Sequence, residues 1–198
     1  MPATDGAAAA NGTDGAAPAP GRRALVTVGT TRFDALVAAA DSPAFAAALA
    51  AAGFATLVVQ AGASPPPRHL VPAGAAATLL SGLRVEWFDY APSLAPHLAA
   101  ADLVVSHAGA GSLFEALRAR KAVVAVPNPA LMDDHQQELA RALAAGRHLA
   151  VAAPKAGALV RALRALDAEP PAPYPAGNVA GVVAEIDALC GVAPRRRD

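Results

Sequence analysis

A single cysteine, Cys190, stands in a chain of 198 residues. That excludes an intramolecular disulfide and fits a reducing compartment. Net charge is also missing, since Lys+Arg 16 balance Asp+Glu 16, and aromatics make up only 4%. With no basic stripe interleaved with aromatics, nucleic acid is not an expected partner. Five scattered histidines and one cysteine offer no metal-ligand spacing, so neither a metal nor another cofactor is expected. The longest apolar stretch, Phe33 to Val59, is interrupted by Asp34, Asp41, Pro43 and Gly53. It cannot supply the ~20 clean apolar residues of a bilayer-spanning helix. The start of the chain carries Asp5 and Asp14 and no early basic residues, and reads as neither secretory signal nor transit peptide. Together these absences predict a cytosolic protein whose membrane role, if any, comes through a partner.

What is present is alanine, apolar runs and turn residues. The apolar share of 55% suffices for a core, although alanine adds little burial per residue. Residues 1–21 are Ala, Gly, Pro, Thr and Asp without periodicity, and read as a disordered tail. Strands are expected at Ala24–Val28, Thr56–Gln60, Leu83–Asp89, Asp102–Ser106, Ala122–Val126 and His148–Ala152. Helices are expected at 34–40, 44–52, 92–101, 112–120, 134–145 and 158–166. The stretch from Ala61 to Gly82, with Pro65-Pro66-Pro67 and Pro72, reads as one long loop. Continuous apolar strands alternating with helices predict an α/β domain over 22–168, a Rossmann-like parallel sheet covered on both faces. Glu169 to Gly177 reads as a stiff Pro-rich linker. A C-terminal amphipathic helix at 178–189, with Val179, Val182, Val183, Ile186 and Leu189 at helical spacing, and a basic tail complete the chain.

Ligands of parallel sheets sit at the carboxyl ends of the strands, where two turns of this chain fall. The first is Gly29-Thr30-Thr31. The second is His107-Ala-Gly-Ala-Gly-Ser112, whose glycines let the backbone approach a ligand while the following helix start offers free N–H groups to phosphate. The third glycine of a dinucleotide fingerprint is replaced by Phe114, and the P-loop pattern is absent. Glu115 has two readings that compete for its oxygens: a carboxylate acceptor for ribose hydroxyls, and the partner of Ser112 in a capping box, which position alone favours. A third polar cluster runs from Asn128 to Glu138, with Asp134 as a candidate helix cap and His135 and Gln136 at the helix start. Glu138 is placed to pair with Arg141. No G-x-S-x-G elbow supports a nucleophilic serine.

Taken in order, Val26-Thr-Val-Gly-Thr-Thr31, Phe88-Asp-Tyr90, Ala101-Asp-Leu-Val-Val-Ser-His-Ala-Gly-Ala-Gly-Ser112 and Leu131-Met-Asp-Asp-His-Gln-Gln-Glu-Leu139 resemble one family. It is the donor-binding catalytic subunit of the eukaryotic UDP-N-acetylglucosamine transferase of dolichol-linked oligosaccharide synthesis, a glycosyltransferase family 28 C-terminal domain. The likeness runs from about Arg23 to Val192. It implies the donor-binding half of a GT-B enzyme, inverting and metal-free. Its acceptor half is then a separate membrane-anchored subunit, with which it forms a heterodimer through helix 178–189 at the cytosolic face of the endoplasmic reticulum. The resemblance implies a donor-binding set of Gly29, Thr30, Thr31, His107, Gly109, Ala110, Gly111, Ser112, Glu115, Asn128, Met132, His135 and Gln136. The diphosphate would meet the two glycine turns, the ribose Glu115, and the N-acetylglucosamine His135 and Gln136. The general base is expected in the partner chain. Two other readings remain open: a UDP-sugar-binding subunit with another acceptor, and a nucleotide-sugar-binding regulatory module without turnover.

Overall fold

The structure, a computed structural model, describes residues 21–130 and 135–177, together with residue 189. The expected tail at 1–21, save Gly21, the helix at 178–189, save Leu189, and Met132 and Asp134 lie outside the described residues. Among the described residues from 21 to 177, seven strands and six helices follow one another. They are β1 (Arg22–Thr27), α1 (Asp34–Ala40), α2 (Pro43–Ala51), β2 (Phe54–Gln60), β3 (Ala76–Thr78), β4 (Arg84–Phe88), α3 (Ala95–Ala100), β5 (Leu103–Ser106), α4 (Ala110–Arg118), β6 (Ala122–Ala125), α5 (His135–Ala145), β7 (Ala150–Val151) and α6 (Ala156–Ala168). They form one sheet in the order β3-β4-β2-β1-β5-β6-β7. Every pairing is parallel except that of β3 with β4.

Strand alternation sends successive side chains to opposite faces, and each face has its own core. Ala24, Val26, Leu57, Val59, Leu103, Val105 and Val124 pack under α1, α2 and α6, which contribute Leu36, Phe45, Leu49 and Leu159. Leu25, Val58, Val104, Val123 and Ala125 pack under α3, α4 and α5, which contribute Leu98, Leu113, Leu117 and Leu143. Burial on both faces is why these strands read as unbroken apolar runs. Among the described residues no single helix is long and apolar enough to cross a membrane. The apolar pair α1 and α2 is bent by 53° and buries Leu36, Val37, Phe45 and Leu49 in the core.

The chain runs outward from β1 through β2, then returns to β5 on the other side of β1 and continues outward to β7. Between β1 and β5 the connections therefore diverge, which opens a crevice at the carboxyl ends of these two strands.

Two local expectations need correction. The stretch 61–82 is not one unstructured loop, because Ala76-Ala-Thr78 pairs antiparallel with Arg84–Glu86 at the sheet edge. Trp87 fastens this stretch, its backbone N–H donating to the Ala75 carbonyl at 2.9 Å and its indole N–H to the Gly74 carbonyl at 3.0 Å. Asp41 accepts the backbone N–H groups of His69 and Leu70 at 2.8 and 2.7 Å. Three small residues carry no strand periodicity, so only the neighbouring edge could reveal this strand. The helix after the second glycine turn also begins earlier than expected, at Ala110, with Gly109 as its cap residue and no side-chain cap bond. Ser112 is thus inside the first turn, and the Ser112–Glu115 capping box does not form.

Candidate functional site

The carboxyl ends of β2, β1 and β5 place Gln60, Thr27 and Ser106 side by side. All three fall on the face that carries Val58, Leu25 and Val104, so a polar layer ends that core. Gln60 is 2% exposed and its amide is fully used. Its oxygen accepts the Thr27 hydroxyl at 2.6 Å and the Gly29 N–H at 2.9 Å, while its nitrogen donates to the Gly29 and Asp89 carbonyls at 2.7 and 2.8 Å. This one side chain ties the turn after β1 to the segment after β4. The Ser106 hydroxyl has no hydrogen-bond partner among the described residues.

His107 follows Ser106 and turns its ring between the two glycine turns. A Cβ on Gly29 would lie 2.7 Å from the His107 Cε1 atom, and one on Gly109 would overlap the Nε2 atom. Both positions must therefore be glycine for the ring to fit. Gly29 also sits at φ +65°, and Ala108 holds φ +64° without being glycine, a conformation that costs an L-residue energy and persists only where the surroundings impose it. The surroundings here are the wedged ring and a buried Ala108 methyl. Burial pushes the His107 imidazole below its ordinary value, with the Thr27 backbone opposing weakly, so it is neutral at pH 7. Its Nδ1 has no hydrogen-bond partner among the described residues.

Beyond the ring opens a cleft of about 410 Å³, within the ordinary range for small-ligand sites. Its walls are Gly29, Thr30, Gln60, Tyr90, Ala91, Pro92, Ser93, Leu94, His107, Gly109, Ala110, Gly111, Ser112 and Glu115. The start of α4 has no capping side chain and no acidic residue in its first turn. Among the described residues no side chain caps its first N–H groups, and the helix dipole leaves partial positive charge at this wall. A Cβ on Gly111 would meet nothing within 4 Å, so that glycine borders open space. Glu115 lies one turn further along the same wall, and Tyr90, 58% exposed, stands among the residues that follow β4. An anion seated at the helix start thus has a carboxylate and an aromatic ring within the same cleft.

Eight expected residues meet here: Gly29, Thr30, His107, Gly109, Ala110, Gly111, Ser112 and Glu115. Others do not line the cleft. The Thr31 hydroxyl turns back to the Val28 carbonyl at 2.7 Å and shapes the turn. Asn128 borders a separate crevice with Arg32, Phe33, Asp34, Ala35, Pro129 and Ala130. Its side chain accepts the Ala130 N–H at 3.0 Å, and its own N–H points to the Gln136 amide oxygen at 3.5 Å. His135 is exposed at the start of α5. Arg141 donates to Gln137 at 2.9 Å, where an ion pair with Glu138 was expected. In the same crevice the hydrogen bond from Arg32 holds the exposed Asp34 carboxylate below its ordinary range. Sequence reasoning missed Gln60 and the wall from Tyr90 to Leu94. A polar residue closing an otherwise apolar strand was the available signal for Gln60.

A model of the glycosyltransferase family 28 C-terminal domain matches residues 23–185. The chain belongs to this family. Among curated members, the mouse (Mus musculus) UDP-N-acetylglucosamine transferase subunit ALG13 is 41% identical over 131 residues, 65% of this chain and 10% of that protein. The same-named subunit of Yarrowia lipolytica is 38% identical over 127 residues, 64% of this chain and 62% of that protein. The chain thus spans about a tenth of the mouse relative and somewhat under two thirds of the yeast one. A solution structure of ALG13 superposes with a TM-score of 0.63 at 27% identity, over 83% of this chain and 94% of that one. The sheet is accordingly that of a GT-B glycosyltransferase half, and the resemblance drawn from the glycine turns holds at the level of this family 28 domain.

Proposed function

We propose that this chain is the donor-binding catalytic subunit of an inverting UDP-N-acetylglucosamine transferase. It moves N-acetylglucosamine onto dolichol-diphosphate-N-acetylglucosamine, the second step of lipid-linked oligosaccharide assembly. The observation that carries this reading is the uncapped start of α4, set beside Glu115 in a cleft at the point where the sheet connections diverge. Diphosphate oxygens suit the uncapped N–H groups and the neutral His107 ring. Glu115 accepts from the ribose hydroxyls, and the uracil lies against Tyr90 and the residues after it. His135, Gln136 and Asn128 then serve the sugar from the neighbouring strand end, and Met132 is assigned to the same sugar by the family resemblance.

Chemically, an acceptor hydroxyl attacks the anomeric carbon and a new glycosidic bond forms there. The bond to UDP breaks with its electron pair passing to the diphosphate, and the hydroxyl proton leaves to a base on another chain. Fixed dipoles at the helix start stabilise the charge that grows on the leaving group, in the place a metal ion would otherwise take. The acceptor half is a membrane-anchored partner, bound through residues 178–189, that recruits this chain to the cytosolic face of the endoplasmic reticulum. Support for a partner comes from the relatives' description as subunits.

Titration calorimetry tests the donor assignment: UDP-N-acetylglucosamine should bind, and adenine nucleotides should bind at least tenfold more weakly. Equal affinity for both bases refutes it. Transfer to a dolichol-diphosphate acceptor should require the membrane fraction, and deletion of residues 176–198 should abolish co-purification with it.

A further inference from the structure

The segment 169–177, which reads as a stiff connector, is fastened from Glu169 to Tyr174. Arg147 pairs with Glu169. The Ala172 N–H donates to the Arg147 carbonyl at 2.8 Å, and the His148 Nδ1–H donates to the Ala172 carbonyl at 3.1 Å. Tyr174 then closes over the domain. Its ring meets His148 edge-on, with centroids 5.2 Å apart at 83°, and lies tilted on Phe114 at 5.8 Å and 51°. Phe114 belongs to α4 and immediately precedes Glu115. A helix of nine residues has little stability of its own and takes its position from packing. Leu113, Ala116 and Leu117 press α4 onto the sheet; the half-buried Phe114 leaves one flank that Tyr174 covers.

We propose that Tyr174, held by this strap, is a positioning residue for the donor site. It bears on Phe114, sets where the first turn of α4 and Glu115 stand, and so governs donor affinity without touching the donor. Tyr174 is not among the residues that line the cleft. The proposal rests on the donor reading above.

The test combines amide NMR with UDP-N-acetylglucosamine titration on the full chain, as wild type, Tyr174→Phe and Tyr174→Ala. Tyr174→Ala should shift the Gly111 and Ser112 amides, which lie on the cleft side of α4, and weaken donor binding about fivefold, a change of about 1 kcal/mol. Tyr174→Phe keeps the ring and should restore both. If Tyr174→Ala does not fold, His148→Ala, which frees the Ala172 carbonyl, should produce the same shifts in smaller measure. Unmoved Gly111 and Ser112 amides in the alanine variants overturn the proposal, as does weakened binding that Tyr174→Phe fails to restore. Should the wild type not bind UDP-N-acetylglucosamine at all, the donor reading fails, and the amide shifts still decide whether the strap positions α4.

Discussion

The two polar regions at the carboxyl edge of the sheet are built differently. Between β1 and β5 the positions are over-determined: Gln60 makes four hydrogen bonds, His107 is wedged between glycines, and Ala108 is held at positive φ. In the polar cluster beyond β6, the side-chain bonds among the described residues stay within eight residues of chain. Asn128 closes a short turn on Ala130, Arg141 reaches Gln137 one turn back, and His135 is exposed. On the proposed donor reading, the rigid wall suits a fixed diphosphate, whose charge must be met by dipoles already in place. On the same reading, His135 and Gln136 serve a sugar that has to be admitted and released. Among the described residues, rigidity is concentrated at the crevice between β1 and β5.

Variants can break or sharpen this contrast. The largest effect is expected from Gln60→Leu, which has a similar volume but leaves the buried Thr27 hydroxyl and the part-buried Gly29 carbonyl without their acceptor and donor, while the Gly29 N–H keeps Thr27 and the Asp89 carbonyl keeps the Gly62 N–H. A stability loss of about 3 kcal/mol or more in denaturant unfolding is expected, since each unsatisfied group costs about 1–3 kcal/mol. Gly109→Ala should keep the fold and displace the His107 ring. Donor binding should fall about 100-fold, roughly 2.7 kcal/mol by calorimetry, and near-normal binding would show that the ring is not held by its neighbours.

Glu115→Ala comes next, with donor affinity lowered about 20-fold, roughly 1.8 kcal/mol. Its thermal stability should stay within about 0.5 kcal/mol of wild type, as for an exposed side chain outside any cap. A clear drop in melting temperature with unchanged binding would return Glu115 to a purely structural role. Gln136→Ala, on the lightly held side, should weaken UDP-N-acetylglucosamine only about threefold, roughly 0.65 kcal/mol, and leave UDP itself unaffected.

The smallest effect is a slope with pH. Burial lowers the folded His107 imidazole below its ordinary value of 6.5, so the unfolded chain binds the extra proton. Stability is therefore complete above about pH 6.5 and is lost as pH falls below it towards the folded value. His97, stacked on Phe88 at 4.5 Å and lowered chiefly by burial, adds a slope of the same sign. Melting curves at pH 7.5 and 5.5 should differ less in His107→Gln than in wild type; equal differences would place the protonation elsewhere.

Much of this was legible in the residues. Unbroken apolar strands such as Leu103-Val-Val105 announce a parallel sheet because both faces of each strand are buried, and that burial depends on side-chain type alone. The glycine turns announce themselves because only glycine accepts Gly29's φ of +65° beside a ring. The edge strand β3 was not legible, since Ala76-Ala-Thr78 gains strand geometry from Arg84–Glu86 and not from itself. Asn128, Gln136 and Thr31 look as ligand-like in sequence as Ser112 does. Only the fold separates the residues that line this cleft from those that lie outside it.

What the sequence determined by itself, then, was an α/β sheet with two glycine turns at strand ends, because backbone conformation and burial are local demands written in residue type. The tertiary structure decided that Gly109, and not Ser112, caps α4, that Gln60 joins the site, and that the segment from Glu169 to Tyr174 lies against the domain. Each of those depends on which distant residue supplies the hydrogen bond or the contact: Gly29 and Asp89 for Gln60, Arg147 and Phe114 for the strap. No local rule of propensity reaches across such separations.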